Sequence, residues 1–286
     1  MKFALFLGCQ IPVRLKQYET SSKAILERLG VGLVDIEEFN CCGYPLRNIE
    51  FKAFLFSSAR NLALAEKKKL DVITLCQCCY GTLKKANFLL RENASLRKEV
   101  NAVLEREGIP YKGEIEVKHL LSVLDQEVGV EAIKKRIEKP FQGLKIAAHY
   151  GCHALRPSQV VRFDDPGTPS IFDRLVEVTG AESIDWLMRL ECCGAPLLGS
   201  HDELSTEITL KKLNNGRESG ADYLCTACTY CQIQFDTVQQ MILSQRGLNH
   251  PLPSILYPQL LGLSMGINAE PLGLKMNKIP IREIGS

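Results

Sequence analysis

Twelve cysteines, at positions 9, 41, 42, 76, 78, 79, 152, 192, 193, 225, 228 and 231, carry most of the chemistry in this chain. Ten of them recur in the same order. Cys9, Cys41, Cys42, Cys76 and Cys79 are followed by Cys152, Cys192, Cys193, Cys228 and Cys231. The Cys-Cys pairs are offset by 151 residues, the Cys-x-x-Cys pairs by 152 and the leading cysteines by 143. A near-constant offset marks an internal duplication, with about eight extra residues in the second copy. Thiolates at such spacing suit soft metals. Adjacent cysteines bridge each other only with strain, so two matched Cys-Cys pairs are not a disulfide framework. A thioredoxin-like couple at Cys76 and Cys79 would leave those pairs idle. A structural zinc site takes four ligands, and each copy here offers five. A polynuclear iron–sulfur cluster accommodates a fifth thiolate, because one sulfur can bridge two irons. Zinc in one or both halves stays the alternative. Cys78 and Cys225 break the repeat and read as core thiols.

The composition sets the context. In 286 residues, 35 basic and 33 acidic side chains leave a net charge of +2, so no nucleic-acid footprint is present. A chain of this length builds a core without disulfides, and its cysteine content points to a reducing, cytoplasmic setting. Residues 3–8 form too short an apolar run for a lipoprotein signal and read as a strand. Residues 251–269 lack formal charge but contain Pro251, Pro253 and Pro258. They fit a short strand, a turn and a core helix rather than a membrane span. Neither Gly-x-Gly-x-x-Gly nor a phosphate-binding loop is present, so electrons must come from a partner.

The elements that position the cysteines repeat as well. Apolar strands over 2–8 and 144–151 each end in glycine just before the first cysteine of their copy. Helical patterns over 21–29 and 171–179 stop at Gly30 and Gly180. Second strands (32–36 and 182–186) lead toward Cys-Cys-Gly, and amphipathic helices follow (51–68 and 202–219). Third strands (71–75 and 222–224) run into Cys-x-x-Cys, and helices leave it (80–91 and 232–245). Residues 94–142 read as a helical connection, and 156–170 as the inserted loop. The expectation is an α/β protein of two pseudo-two-fold-related repeats, 1–142 and 143–286, each with a small parallel sheet. The cysteines then fall at strand carboxyl ends, where open sheets place ligands.

The two Cys-Cys-Gly repeats resemble the duplicated cysteine-rich domain of the heterodisulfide reductase B subunits. The likeness extends over essentially the whole chain. It includes the opening run to Gly8-Cys9, Cys79-Tyr80-Gly81, His149-Tyr150-Gly151-Cys152-His153, Arg156-Pro157, Cys231-Gln232-Ile233 and Leu260-Leu261-Gly262. The resemblance implies two noncubane [4Fe-4S] clusters. One would be held by Cys9, Cys41, Cys42, Cys76 and Cys79, the other by Cys152, Cys192, Cys193, Cys228 and Cys231. Cys78, at roughly the family's usual distance from Cys42, is the alternative to Cys76. The implied activity is an oxidoreductase reaction on a small disulfide such as the CoM-CoB heterodisulfide. Each cluster would take one sulfur and supply one electron. The implied partners are the A-type component of heterodisulfide reductase, carrying flavin and iron–sulfur clusters, and the C-type component, carrying cubane iron–sulfur clusters. His153 is the candidate catalytic proton donor, with His149 a second choice, and Arg156 and Arg162 are candidate anion ligands. The other reading is an electron-relay subunit of another oxidoreductase complex, with no disulfide substrate of its own.

Overall fold

In the computed structural model, which describes residues 1–281, the first repeat opens with β1 (Lys2–Phe6), whose residues after Lys2 are all buried. A short α1 (Ile11–Arg14) and α2 (Lys16–Arg28) lead to β2 (Gly32–Asp35). Next comes α3 (Phe51–Lys67), capped by the Glu50 carboxylate accepting from Lys52 N at 3.0 Å. It buries Phe54, Leu55, Ala59 and Leu62 at helical spacing. β3 (Val72–Thr74) is wholly buried, as a central parallel strand should be. α4 (Gln77–Glu92) and α5 (Ala94–Leu104) precede β4 (Val117–His119). The chain then passes through α6 (Leu120–Ser122), a π-helix (Val123–Gly129) and α7 (Val130–Lys134). All strands pair in parallel, in the order β2-β1-β3-β4.

The second repeat copies this plan. β5 (Lys145–His149) is followed by α8 (Ser158–Val161), α9 (Ile171–Glu177) and β6 (Glu182–Ser183). α10 (Asp202–Glu218) leads to β7 (Tyr223–Thr226). α11 (Thr229–Ile233), a π-helix (Gln234–Val238) and α12 (Gln239–Arg246) form one continuous rod. β8 (Ser254–Leu256) and α13 (Tyr257–Ser264) complete it. The parallel order is β6-β5-β7-β8, the same as in the first sheet. The expected α/β duplication with two small parallel sheets is therefore what forms.

Three local readings need correction. Residues 94–142 are not helical throughout, because β4 pairs Val117 with Val72 and His119 with Thr74. Three residues are too few to display a period, so the edge strand is invisible in the sequence. The strand expected over 182–186 shrinks to Glu182–Ser183. Trp186 instead donates its indole N–H to the Ala148 carbonyl at 3.0 Å. The helix expected from 80 starts at Gln77, since Cys76 is its N-cap. The inserted stretch 156–170 is largely loop, stitched by the Asp164 and Asp165 carboxylates accepting backbone N–H groups. It also contains α8.

The repeats are locked by exchange. α13 of the second repeat packs on α2 of the first, while α6 and its π-helix pack on α9 of the second. Arg174 on α9 grips Asp125 in that π-helix through three N–H···O bonds at 2.8, 2.9 and 3.2 Å. Arg28 at the end of α2 reaches the Met265 carbonyl beyond α13.

Candidate metal centre

Each sheet changes direction between its central strands, with the chain going from β1 outward to β2 and then back across to β3. The carboxyl ends at such a reversal form a crevice. Cys9 lies beyond β1 and Cys76 beyond β3. Cys152 and Cys228 take the same places beyond β5 and β7. The Cys-Cys-Gly segments follow β2 and β6. Helices α3 and α10 hold their backbones: Ser58 donates to the Cys42 carbonyl at 2.6 Å and Thr209 to the Cys193 carbonyl at 3.2 Å.

Glycine is required at matched points. Gly43 and Gly194 have φ of +87° and +91°, and a Cβ there would lie 2.9 Å from Phe54 O and 2.8 Å from Ser205 O. Gly8 and Gly151 precede the first cysteine of each set. A Cβ on Gly8 would stand 2.9 Å from Cys79 Sγ, and one on Gly151 3.8 Å from Cys231 Sγ.

The five sulfurs of each copy form one continuous chain of contacts. In the first, Cys9 meets Cys41 at 3.7 Å, Cys41 meets Cys42, Cys42 meets Cys79, and Cys79 meets Cys76. In the second, Cys152, Cys192, Cys193, Cys231 and Cys228 follow in the same sequence of contacts. Within each Cys-Cys pair the first sulfur ionises more readily than the second. Hydrogen bonds from Cys42 and Cys9 bring Cys41 down to about 2. Those from Cys152 and Cys193 bring Cys192 down to about 2. Cys9, Cys41, Cys152 and Cys192 are at least partly exposed, and the remaining sulfurs are buried. Both sets thus open at the same end.

The two sets touch. Cys76 Sγ lies 4.0 Å from Cys228 Sγ, and Cys78 joins them in a buried triad whose sulfurs are all within 4.8 Å of one another. His153 stands at this junction, with Nδ1 3.2 Å from Cys152 Sγ and 3.6 Å from Cys78 Sγ. Burial, and then the Arg47 guanidinium, hold its basicity below the ordinary imidazole value. Tyr44 from the first repeat packs edge-on to His153 at 5.1 Å and against Tyr230 of the second at 5.7 Å. Arg47 lies over the Tyr44 ring.

The comparisons with known proteins agree with this geometry. The CCG cysteine-rich domain matches residues 3–84 and again 146–236. The chain is 36% identical over 282 residues to the B subunit of the ferredoxin/F(420)H(2)-dependent CoB-CoM heterodisulfide reductase of Methanosarcina acetivorans, covering 97% of this chain and 94% of that one. The chain belongs to the heterodisulfide reductase B-subunit family. This B-type chain is also 34% identical over 285 residues to the 8-methylmenaquinol:fumarate reductase membrane anchor subunit of Wolinella succinogenes, covering 99% of each. Relatives of one family thus carry the names of different complexes. A solved structure, of a hypothetical protein from Helicobacter pylori, shares the fold. Its TM-score is 0.79 at 20% identity, over 98% of this chain and 52% of that one. Among the described residues of the B-type chain no helix is long and apolar enough to cross a membrane.

The donor sets fit iron–sulfur clusters. Each offers five convergent thiols with no disulfide among them, and in the first set Gly8 stands where a side chain would press on a sulfur. His149, buried beside the second set, has both ring nitrogens without a hydrogen-bond partner in the protein, a polar group left facing a site.

Cys225 lies fully buried in β7 and only burial perturbs it, which matches a core thiol. Cys78 is no isolated core residue, because it faces both sets. Arg156 and Arg162 are exposed. Arg162 borders a surface groove with Lys84, Arg91 and Glu116 rather than the sulfurs. The cation beside His153 is Arg47, which nothing in the sequence singled out. Tyr44 and Tyr230 escaped notice too, although each lies close to a motif cysteine and could have been found on that ground.

Proposed function

We propose that this chain is the disulfide-reducing iron–sulfur subunit of a heterodisulfide reductase-type complex. Cys9, Cys41, Cys42, Cys76 and Cys79 would hold one noncubane [4Fe-4S] cluster. Cys152, Cys192, Cys193, Cys228 and Cys231 would hold the other. The observation that carries the reading is the contact of the two sulfur sets at Cys76 and Cys228. A substrate disulfide at that junction would have one set on each side. Bound clusters would supply two one-electron donors, matching the two electrons that a disulfide takes up.

The chain's own residues do the rest. Tyr44 and Tyr230 narrow the junction and exclude water from it. His153 Nδ1, between Cys152 and Cys78, would hold the proton that a departing thiolate needs. Arg47, over Tyr44, places a positive charge near that thiolate. Electrons would come from partners of the A and C types, and the complex would act in the cytoplasm. The repeats at 1–142 and 143–286 would each contribute one site.

A second reading follows from the Wolinella relative, named for a fumarate reductase. In such a complex the chain would relay electrons without a substrate of its own. Anaerobic purification with native partners, followed by turnover assays on small disulfides, separates the two. Disulfide reduction that depends on this chain supports the first, and electron transfer to another acceptor without it supports the second.

A further inference from the structure

The two sulfur sets are near copies, but the charge around them is not. Ser58 and Thr209 make matching hydrogen bonds to Cys42 O and Cys193 O, which fixes the alignment of α3 with α10 at an offset of 151 residues. One helical turn further along, that alignment pairs Asn61 with Lys212. Asn61 is a neutral amide with both ends satisfied: its N–H₂ donates to the carbonyls of Cys41 and Ser57, and its oxygen accepts from Asn40 N. Lys212 is fully buried, the one lysine so placed among the described residues. Its ammonium donates to the Met188 carbonyl and lies 5.0 Å from the Trp186 ring centroid. The sulfurs with the largest electrostatic influence on it are Cys231 and Cys193, and burial, partly offset by those sulfurs, lowers its basicity to about 8.

A second exchange points the same way. The ring that faces the glycine before the first cysteine is Phe6 in the first repeat and His149 in the second. A Cβ on Gly8 would meet Phe6 Cε1 at 3.6 Å, and one on Gly151 would meet His149 Nε2 at 3.4 Å. The second site therefore has a buried cation and a polar ring where the first has an amide and a hydrocarbon ring. The other charges nearby do not cancel this difference. Arg47 on the first side is half-exposed, Glu191 beside Lys212 is exposed, and Arg189 is paired with Asp185 at 3.1 Å. Solvent and salt screen those groups, but not Lys212.

We propose that Lys212 makes the two centres unequal, so that the one held by the second repeat is the more easily reduced and an electron entering the protein rests there first. The inference rests on the two-cluster reading above. A fixed positive charge in a dry surround favours the more negative, reduced state of whatever it faces. Lys212 is a positioning residue in this sense: it acts through the sulfur set, not on substrate.

The test is a redox titration of the anaerobic full-length protein with dithionite, followed by electron paramagnetic resonance, alongside iron content. Two separated potentials are expected in the unaltered chain, with the higher one missing from Cys193→Ala. Lys212→Gln keeps a donor for Met188 O but removes the charge. It should lower the higher potential by at least 59 mV, the equivalent of tenfold in a one-electron couple. Lys212→Arg should restore it, and Asn61→Lys should raise the lower potential. Coincident potentials in the unaltered chain, or an unmoved potential in Lys212→Gln, would overturn the inference and leave the two-cluster reading standing. Protein that holds no iron after anaerobic reconstitution would overturn both. Where Lys212→Gln fails to fold, Asn61→Lys tests the same charge in the first repeat, and an unmoved lower potential in it would overturn the inference.

Discussion

Cys76 Sγ and Cys228 Sγ lie 4.0 Å apart, although 152 residues separate them along the chain. Each is the last sulfur in its own contact chain, and each is the N-cap of the helix that leaves its Cys-x-x-Cys motif. The carboxyl edges of the two sheets therefore meet at buried sulfurs, while the outer ends of both sets, Cys9 and Cys152, stay at least partly open to solvent.

If each sulfur set holds a four-iron cluster, anaerobic protein should carry about eight irons per chain. Chelation should lower the melting temperature, since a bound cluster cross-links the three loops that follow the first three strands of each sheet. Metal analysis with thermal unfolding checks both. Stoichiometric zinc with little iron would count against the reading.

Ligand identity can be tested one sulfur at a time. Cys42→Ala and Cys193→Ala should each lose most of one cluster, because each is the middle sulfur of its chain and no nearby oxygen or nitrogen replaces a soft thiolate. Cys225→Ala should keep both clusters. Cys78→Ala should also keep both, since Tyr230 occupies its position in the second repeat and Cys42 contacts Cys79 instead. Iron counts and cluster spectra decide. A cluster lost with Cys78 would move that residue into the first set in place of Cys76.

His153→Gln removes the titrating group at the junction but retains a hydrogen-bonding side chain. Disulfide turnover should fall by ~10²–10⁴-fold with iron content unchanged. Full turnover in this variant would assign the proton to another group.

Backbone geometry gives a fourth test. Gly43→Ala or Gly194→Ala forces a side chain into a left-handed conformation and against a carbonyl oxygen of α3 or α10. Each should destabilise the fold by roughly 1–3 kcal/mol and distort the adjacent Cys-Cys pair. Gly30→Ala offers a control, because its φ is also positive (+72°) but no atom lies within 4 Å of the added carbon. Thermal unfolding should show a larger loss at Gly43 than at Gly30, and equal losses would contradict the argument.

Much of this was legible in the sequence because the duplication wrote it twice. The offsets of Cys41, Cys42, Cys76 and Cys79 located both sulfur sets and the strand ends beneath them. What stayed hidden depends on tertiary contacts, within a repeat or between the two, that no single stretch of sequence displays. β4 is too short to show a period, and it takes its place by pairing with β3. Arg47 becomes a site residue only because the second repeat brings His153 beside it. Lys212 was within reach of alignment with Asn61, but a lysine within a polar helix reads as a surface group. Its burial follows from the docking of its ammonium against Met188 O and Trp186.

The helix exchange has a consequence for how the molecule is made. α2, built from residues 16–28, finds its cover in α13, built from residues 257–264. The first repeat emerges from the ribosome with the helices after its fourth strand committed to a partner not yet synthesised, and with α2 lacking its α13 cover until residues 257–264 have been made. Its five thiols can assemble at the strand ends early, but the scaffold around them closes last. If the two sets hold metal, its loading follows translation of α13, when both halves close together.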